Sequence, residues 1–167
     1  MSLKTLITKT VEYNNWVVNK YIEWLSTKSD DQLNQETISS FPTILKTLHH
    51  IWQTQEYWWS YIAENNDFDF AKTAAETSKE EVFINLKNNS QKLVDYVKSL
   101  SEEDLSKNVK IESQWFQCDF SKYEYIQHAI LHGTYHRGQI VTMGRNIGIT
   151  DAPMTDFNFW NIYKDKE

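Results

Sequence analysis

Three of the chain's five histidines, His128, His132 and His136, are spaced four residues apart. On a helix each step of four advances about 40° around the axis and roughly 6 Å along it, so neighbouring pairs point the same way. Two such imidazoles can grip one metal ion, and two overlapping pairs are available, His128/His132 and His132/His136. Spacing alone does not choose between them. A histidine buried without a partner forfeits hydrogen bonds at a cost of about 1–3 kcal/mol per unsatisfied group, so three on one apolar stripe call for a shared partner.

Two familiar helical metal patterns are excluded by the neighbouring residues. A zincin needs His-Glu-x-x-His, with the glutamate as general base, whereas Ala129 and Gly133 follow the first two histidines here. A ferritin-like di-iron site needs Glu-x-x-His, and Glu124 stands four residues before His128 rather than three. A mononuclear site remains, with two histidines from this helix and at least one ligand from elsewhere. His50 is the natural third: on the wheel of its own helix His49 falls inside the solvated sector marked by Lys46, Gln53, Glu56 and Ser60, while His50 lies at that sector's edge.

The elements that must position these rings are predicted to be four long helices. Apolar residues recur as Leu3, Leu6, Ile7, Val11, Val17, Val18, Tyr21, Ile22 and Leu25, a stripe broken only by Asn14, which must then either line a site or bond to a neighbouring helix. A polar connection follows, with Ser29 to Gln32 suited to cap one short turn. The second helix is expected to start at Pro42 and to run to about Asn65. A polar stretch from Asn65 to Thr77 is long enough to cross a bundle. Ser78-Lys79-Glu80-Glu81 is a capping-box pattern opening the third helix, carried on by Val82, Leu86, Leu93, Val97 and Leu100. From Ser101 to Ser121 the helical period fails, and Val109 to Ile111 and Trp115 to Cys118 read as short extended pieces. The fourth helix then places Tyr125, His128, Ala129, His132, His136, Ile140, Met143 and Ile147 on one buried face, and Gly148 can end it in a left-handed cap. Pro153 to Tyr163 is expected to pack back onto the bundle.

Composition agrees with this reading. The 167 residues, 40% of them hydrophobic, suit one domain, residues 1–167. Only four Gly and two Pro interrupt the chain, which favours long helices over a turn-dense β fold. Seven Trp, nine Tyr and eight Phe are expected mainly to fill gaps between helices. A net charge of −6 argues against non-specific nucleic-acid binding. The lone Cys118 allows no intrachain disulfide, and there is no signal-peptide core and no stretch approaching the roughly 20 apolar residues of a membrane span, so a cytoplasmic location is expected.

The run His128-Ala-Ile-Leu-His132-Gly-Thr-Tyr-His136-Arg-Gly-Gln-Ile resembles the signature of the DinB-like (DinB/YfiT) superfamily, bacterial four-helix-bundle proteins inferred to be metalloenzymes. Tyr13 to Asn19 resembles the pattern of that family's first helix, Leu48-His49-His50-Ile51 with Trp58 that of its second, and Thr155-Asp156-Phe157 its C-terminal segment. The resemblance implies an all-α bundle in up-down-down-up order with one long crossover, frequent homodimers, and a divalent metal held by His50, His132 and His136. His128 corresponds to a common histidine that is not a ligand. Two departures stand out: Tyr135 replaces a frequent histidine, and Gln55 stands where an acidic residue is frequent. Arg137 is assigned to a dimer surface or a helix-end salt bridge.

Three neutral imidazoles leave a divalent cation with open positions, the arrangement of a catalytic site. No catalytic side chain is assigned; the expected nucleophile is a metal-bound water or thiolate. Zinc and nickel both suit imidazole nitrogen. Because relatives within this superfamily use thiols such as bacillithiol or mycothiol, the resemblance implies a thiol S-transferase or hydrolase acting on a small molecule, with a low-molecular-weight thiol as cosubstrate. The alternatives are a non-catalytic metal-binding stress-response protein and a helical interaction module without metal.

Overall fold

The computed structural model describes residues 1–65, 68–69, 77–115 and 117–164. Four long helices carry it: α1 (Leu3–Ser26), α3 (Ile44–Ile62), α4 (Lys79–Ser99) and α6 (Lys122–Asn146). Between them lie two five-residue helices, α2 (Asp30–Asn34) and α5 (Glu102–Ser106), and an antiparallel hairpin of β1 (Asn108–Glu112) and β2 (Gln117–Ser121); α7 (Phe157–Tyr163) closes the chain. The predicted crossing segment, Asn65 to Thr77, falls mostly outside the described residues.

Local chemistry fixes most of the boundaries. Ser2, Thr43 and Ser78 each accept a backbone N–H of the first turn at the starts of α1, α3 and α4. The second long helix therefore starts two residues later than expected, because Pro42 precedes the cap and its carbonyl accepts from Thr37 N at 2.8 Å, and it ends at Ile62, short of Asn65. Ser29 with Gln32, and Ser101 with Asp104, form capping boxes that give the two short helices their starts. At the end of α6, Gly148 has φ 84° and donates to Arg145 O at 3.2 Å, while Ile149 N reaches Gly144 O at 2.8 Å. That pair of bonds is the Schellman closure, which favours glycine at the left-handed position.

Packing follows from the buried stripes. Lys4 Nζ, at the start of α1, donates to carbonyls of Val97, Lys98 and Leu100 at the end of α4. Further along, Asn15 Nδ2 bonds to Gln91 Oε1 at 2.9 Å. Thr47 meets Met143, His50 meets His132, and Trp58 meets Tyr125 between α3 and α6. Glu56 meets Asn89, and Ile62 O accepts from Tyr96, between α3 and α4. The C-terminal segment packs back as expected: Trp160 is buried, and Tyr13, whose hydroxyl donates to Thr155 O at 2.6 Å, meets the rings of Phe157 and Trp160.

Among the described residues the core forms two apolar clusters. Val17, Ile22, Leu25, Ile51, Leu86, Ile140 and Met143 belong to the first; Val11, Trp58, Ile62, Leu93, Val97, Ile126 and Ile130 to the second, which the hairpin covers with Val109 and Ile111. Between them runs a belt of buried polar residues, one stretch from each long helix: Asn14, Gln55, Asn89 with Ser90, and His136 with Arg137. Asn14 broke the apolar stripe of α1 for this reason, although the bond to α4 is made by its neighbour, since Asn15 Oδ1 accepts from Ser90 Oγ at 2.7 Å. Ser60, expected to be solvated, is buried and donates to Tyr57 O. No helix among the described residues is long and apolar enough to cross a membrane.

Candidate metal centre

The belt opens to the surface along the groove between α3 and α6, and three of the five histidines meet there. His50 Nε2 lies 3.2 Å from His132 Nε2, and His136 Nε2 lies 3.1 Å from His132 Nε2. One ligand atom from each of the three rings falls within 4.8 Å of the others. In a tetrahedral zinc site with Zn–N of about 2.0–2.1 Å, neighbouring nitrogens stand about 3.3 Å apart, which the two separations at His132 match, so the three rings could hold a small divalent cation.

Each ring is held differently. His136 is buried, and its Nδ1 lies 2.7 Å from Gln139 Oε1, while Gln139 Nε2 donates to Ser40 Oγ at 2.9 Å. A glutamine oxygen only accepts, so His136 carries its proton on Nδ1 and presents the Nε2 lone pair to the cluster. His50 is stacked under Phe41 with centroids 4.2 Å apart, and Phe41 also meets His136 edge-on at 5.7 Å, so one side of the cluster is roofed by an apolar ring. Thr54 Oγ1 lies 3.5 Å from His50 Nε2. His132 is the least anchored, with its Nδ1 buried and without a hydrogen-bond partner.

Burial, followed by the proximity of other imidazoles, holds the His50 and His132 pKa values down at about 4. Burial also lowers His136, against the opposing effect of its bond to Gln139. All three are therefore neutral near pH 7, the form that binds metal. His128 sits apart from them. It is exposed, not on the buried face where periodicity placed it, and its ring meets Trp58 at 4.6 Å. His49 turns to the other side of α3, against Trp52, but its Nε2 is buried rather than solvated.

Two residues near the centre escaped the sequence reading. Gln139 follows the motif without any pattern marking it as the partner of His136, although a three-residue helical spacing makes such a bond available. Arg137, assigned to a surface role, is only 4% exposed. Its Nη2 donates to Thr134 Oγ1 at 2.9 Å, and its Nη1 is buried without a partner. Burial lowers its pKa to about 10. Space for the guanidinium exists because residue 133 is glycine: a Cβ there would stand 3.1 Å from Arg137 Nη1 and 3.7 Å from Gln55 Nε2.

On the side away from Phe41 the cluster opens into a cleft of about 350 Å³, reached past His50 and His132 and walled by Tyr57, Trp58, Trp115 and His128. A larger hollow of about 370 Å³ by Trp52, Glu56 and Lys92, on the α4 side of α3, does not reach the histidines. The arrangement is that of a three-imidazole centre with a covered and an open side.

Comparison with known proteins agrees on the family. A profile described as the DinB family matches residues 1–166. The chain is 29% identical over 164 residues to a curated protein of Bacillus subtilis (strain 168) named Protein DinB, covering 91% of each chain. It also superposes on the crystal structure of a DinB-like protein from Bacillus subtilis with a TM-score of 0.66 at 18% identity, over 90% of this chain and 98% of the other. That second likeness speaks for the fold alone.

Proposed function

The chain belongs to the DinB family, and on that premise we propose that it is a metal-dependent enzyme. In this reading His50, His132 and His136 hold one divalent ion, zinc or nickel, and the reaction is thiol transfer to, or hydrolysis of, a small-molecule substrate, with a low-molecular-weight thiol as cosubstrate in the first case. The observation that carries it is the convergence of three Nε2 atoms, at 3.2 and 3.1 Å along the His50–His132–His136 path, beneath an open cleft. A closed structural site would bring a fourth protein ligand.

When bound, the ion supplies Lewis acidity, lowering the pKa of a water or thiol that ligates it. The protein's own groups do the rest. Gln139 holds the His136 proton at Nδ1, and so keeps Nε2 available. Phe41 excludes water from one side of the cluster. The Thr54 hydroxyl, 3.5 Å from His50 Nε2, is placed to hydrogen-bond a group arriving from the cleft. No carboxylate lines that cleft among the described residues, which is why no side chain is assigned as general base.

The same reading treats residues 1–167 as one domain whose long helices run up-down-down-up, with one long crossover between the second and third. Its support is that contacts between α1 and α4, and between α3 and α6, pair early residues with late ones, whereas those between α3 and α4 advance in step. It also places the protein in the cytoplasm, as a homodimer without nucleic-acid partners; Leu131 and Tyr135, both more than half exposed on α6, are the apolar residues a second copy would cover.

The test is metal analysis of protein purified without chelators, followed by assays with a low-molecular-weight thiol plus a model electrophile and with model esters and amides. About one equivalent of zinc or nickel is expected, and its loss in the His50→Ala, His132→Ala and His136→Ala variants. Metal content unchanged in all three sinks the site. A metal-replete protein inactive in every assay sinks the enzyme and leaves a metal-binding protein.

A further inference from the structure

The cleft beside the histidines has a composition of its own. It follows the groove from the metal centre towards the β-hairpin: His50, Thr54 and Tyr57 recur along α3, and His128 and His132 along α6. At the far end its walls are aromatic. Trp58 is 5% exposed and fixed by a stacked contact with Tyr125 at 5.7 Å and 20°. Tyr57 stands edge-on to Trp58 at 5.3 Å and to Trp115 at 5.9 Å, and its hydroxyl bonds to Ser113 Oγ at 3.2 Å in the hairpin tip. Trp115 is 52% exposed on the rim.

Among the described lining residues there is no lysine or arginine to receive an anion, and no carboxylate to offset a cation. A volume of about 350 Å³ lies at the small end of the range for small-molecule sites. A cleft walled by aromatic side chains favours another planar π system, in offset or T-shaped contact. We propose that this cleft is the substrate subsite of the protein, and that it selects an uncharged, planar aromatic molecule held against Tyr57, Trp58 and Trp115, with its reactive group turned to the His50–His132 end. The orientation rests on the metal-site reading above; the ring subsite does not. At its aromatic end the subsite offers no cation to a phosphate or carboxylate, and it makes Trp115 a specificity-determining residue outside the metal centre.

The test has two arms, both on the full chain. In the first, 2-naphthol is titrated into metal-free protein and its binding followed by ligand-observed NMR. Saturable binding is expected, at least tenfold weaker in Trp115→Ala, retained in Trp115→Phe, and with Tm unchanged in both because the residue is half exposed. In the second, benzohydroxamate and acetohydroxamate are compared on zinc-loaded protein. The phenyl compound should bind at least tenfold tighter, and Trp115→Ala should remove that difference. Absent naphthol binding, naphthol binding unaffected by Trp115→Ala, or equal affinity of the two hydroxamates would overturn the proposal. If zinc fails to load while the naphthol arm behaves as expected, the aromatic subsite stands, and the metal reading falls together with the orientation.

Discussion

His136 donates its Nδ1 proton to Gln139 Oε1 across 2.7 Å, one helical turn along α6, and that bond settles which nitrogen of the ring faces the cluster. Gln139 is in turn held by Ser40, so the orientation of an imidazole facing the histidine cluster is anchored in the segment just before α3. Replacing Gln139 by Leu frees the ring to flip and to exchange tautomers. Such supporting hydrogen bonds are worth about 10–100-fold in metal affinity. We expect Gln139→Leu to weaken zinc binding by about tenfold in a chelator competition assay, with helix content by circular dichroism unchanged. Wild-type affinity in this variant would show that Phe41 and the helix alone orient His136.

His128 and His132 form the other possible chelating pair by spacing, and the geometry separates them sharply. His132 Nε2 is within 3.2 Å of both its partners, whereas the His128 ring lies 6.3 Å from that of His132 and against Trp58. His128→Gln should therefore keep full metal stoichiometry, and His132→Gln should lose it. Metal content measured by mass spectrometry after gel filtration decides the matter; loss in the His128 variant would mean that the cluster rearranges on loading.

Much of this was legible beforehand, and the reasons are physical. Long amphipathic stripes, capping serines and Gly148 leave strong local signals, so the four helices can be read with their ends within about three residues, the largest miss being the end of α3 at Ile62 rather than near Asn65. The meeting of His50 with His132 and His136 came from a wheel position and a family resemblance. Position on a wheel is a weak guide where a helix face passes from core to groove, which is why His128 was expected to be buried and is exposed. Arg137 was harder still. An arginine at that spacing normally marks a surface, and only tertiary contacts, with Gly133 making room, put it inside. The polar belt left one sequence trace, Asn14, whose meaning depended on three other helices.

Acid should destabilise the metal-free protein in a defined window. His50 and His132 have folded-state pKa values of about 4, against 6.5 for free imidazole, because burial and neighbouring imidazoles oppose the charged form. The unfolded chain thus takes up protons first as pH falls. Stability from these groups is fully present above about pH 6.5 and is lost progressively towards pH 4. The rings are only partly buried, so solvent screening leaves an effect of the order of 1–2 kcal/mol for the pair. Urea midpoints of EDTA-treated protein at pH 7, 5.5 and 4.5 measure it. His132→Gln should flatten the slope; an equal slope in that variant assigns the acid sensitivity elsewhere.

Gln55 faces two demands that one amide cannot meet, and this gives the sharpest prediction. Its Oε1 is buried without a partner, as is Trp59 Nε1, and both residues line, with Asn89, a cavity of about 10 Å³. That volume admits one water, able to accept from the indole and donate to the glutamine oxygen. The amide's other end, Nε2, lies on the same side as Arg137 Nη1, 3.7 and 3.1 Å respectively from where a Cβ of residue 133 would stand, and the guanidinium has no carboxylate in ion-pair range among the described residues. Turning the amide over would serve Arg137 and deprive the water. A glutamate serves both, one oxygen for each. Desolvating the new carboxylate offsets part of the gain, but pairing an isolated buried charge is the favourable direction. Gln55→Glu should stabilise the protein by about 1–2 kcal/mol, or raise Tm by about 2–8 °C for a chain of this size. Gln55→Leu, which leaves Arg137 more isolated, should lower Tm, and Gly133→Ala should do so by pressing a methyl group into the guanidinium. Thermal unfolding of the three variants at pH 7 gives the comparison. A Gln55→Glu protein less stable than the parent would mean that Arg137 is already compensated, and that the belt is held together by its waters rather than short of a charge.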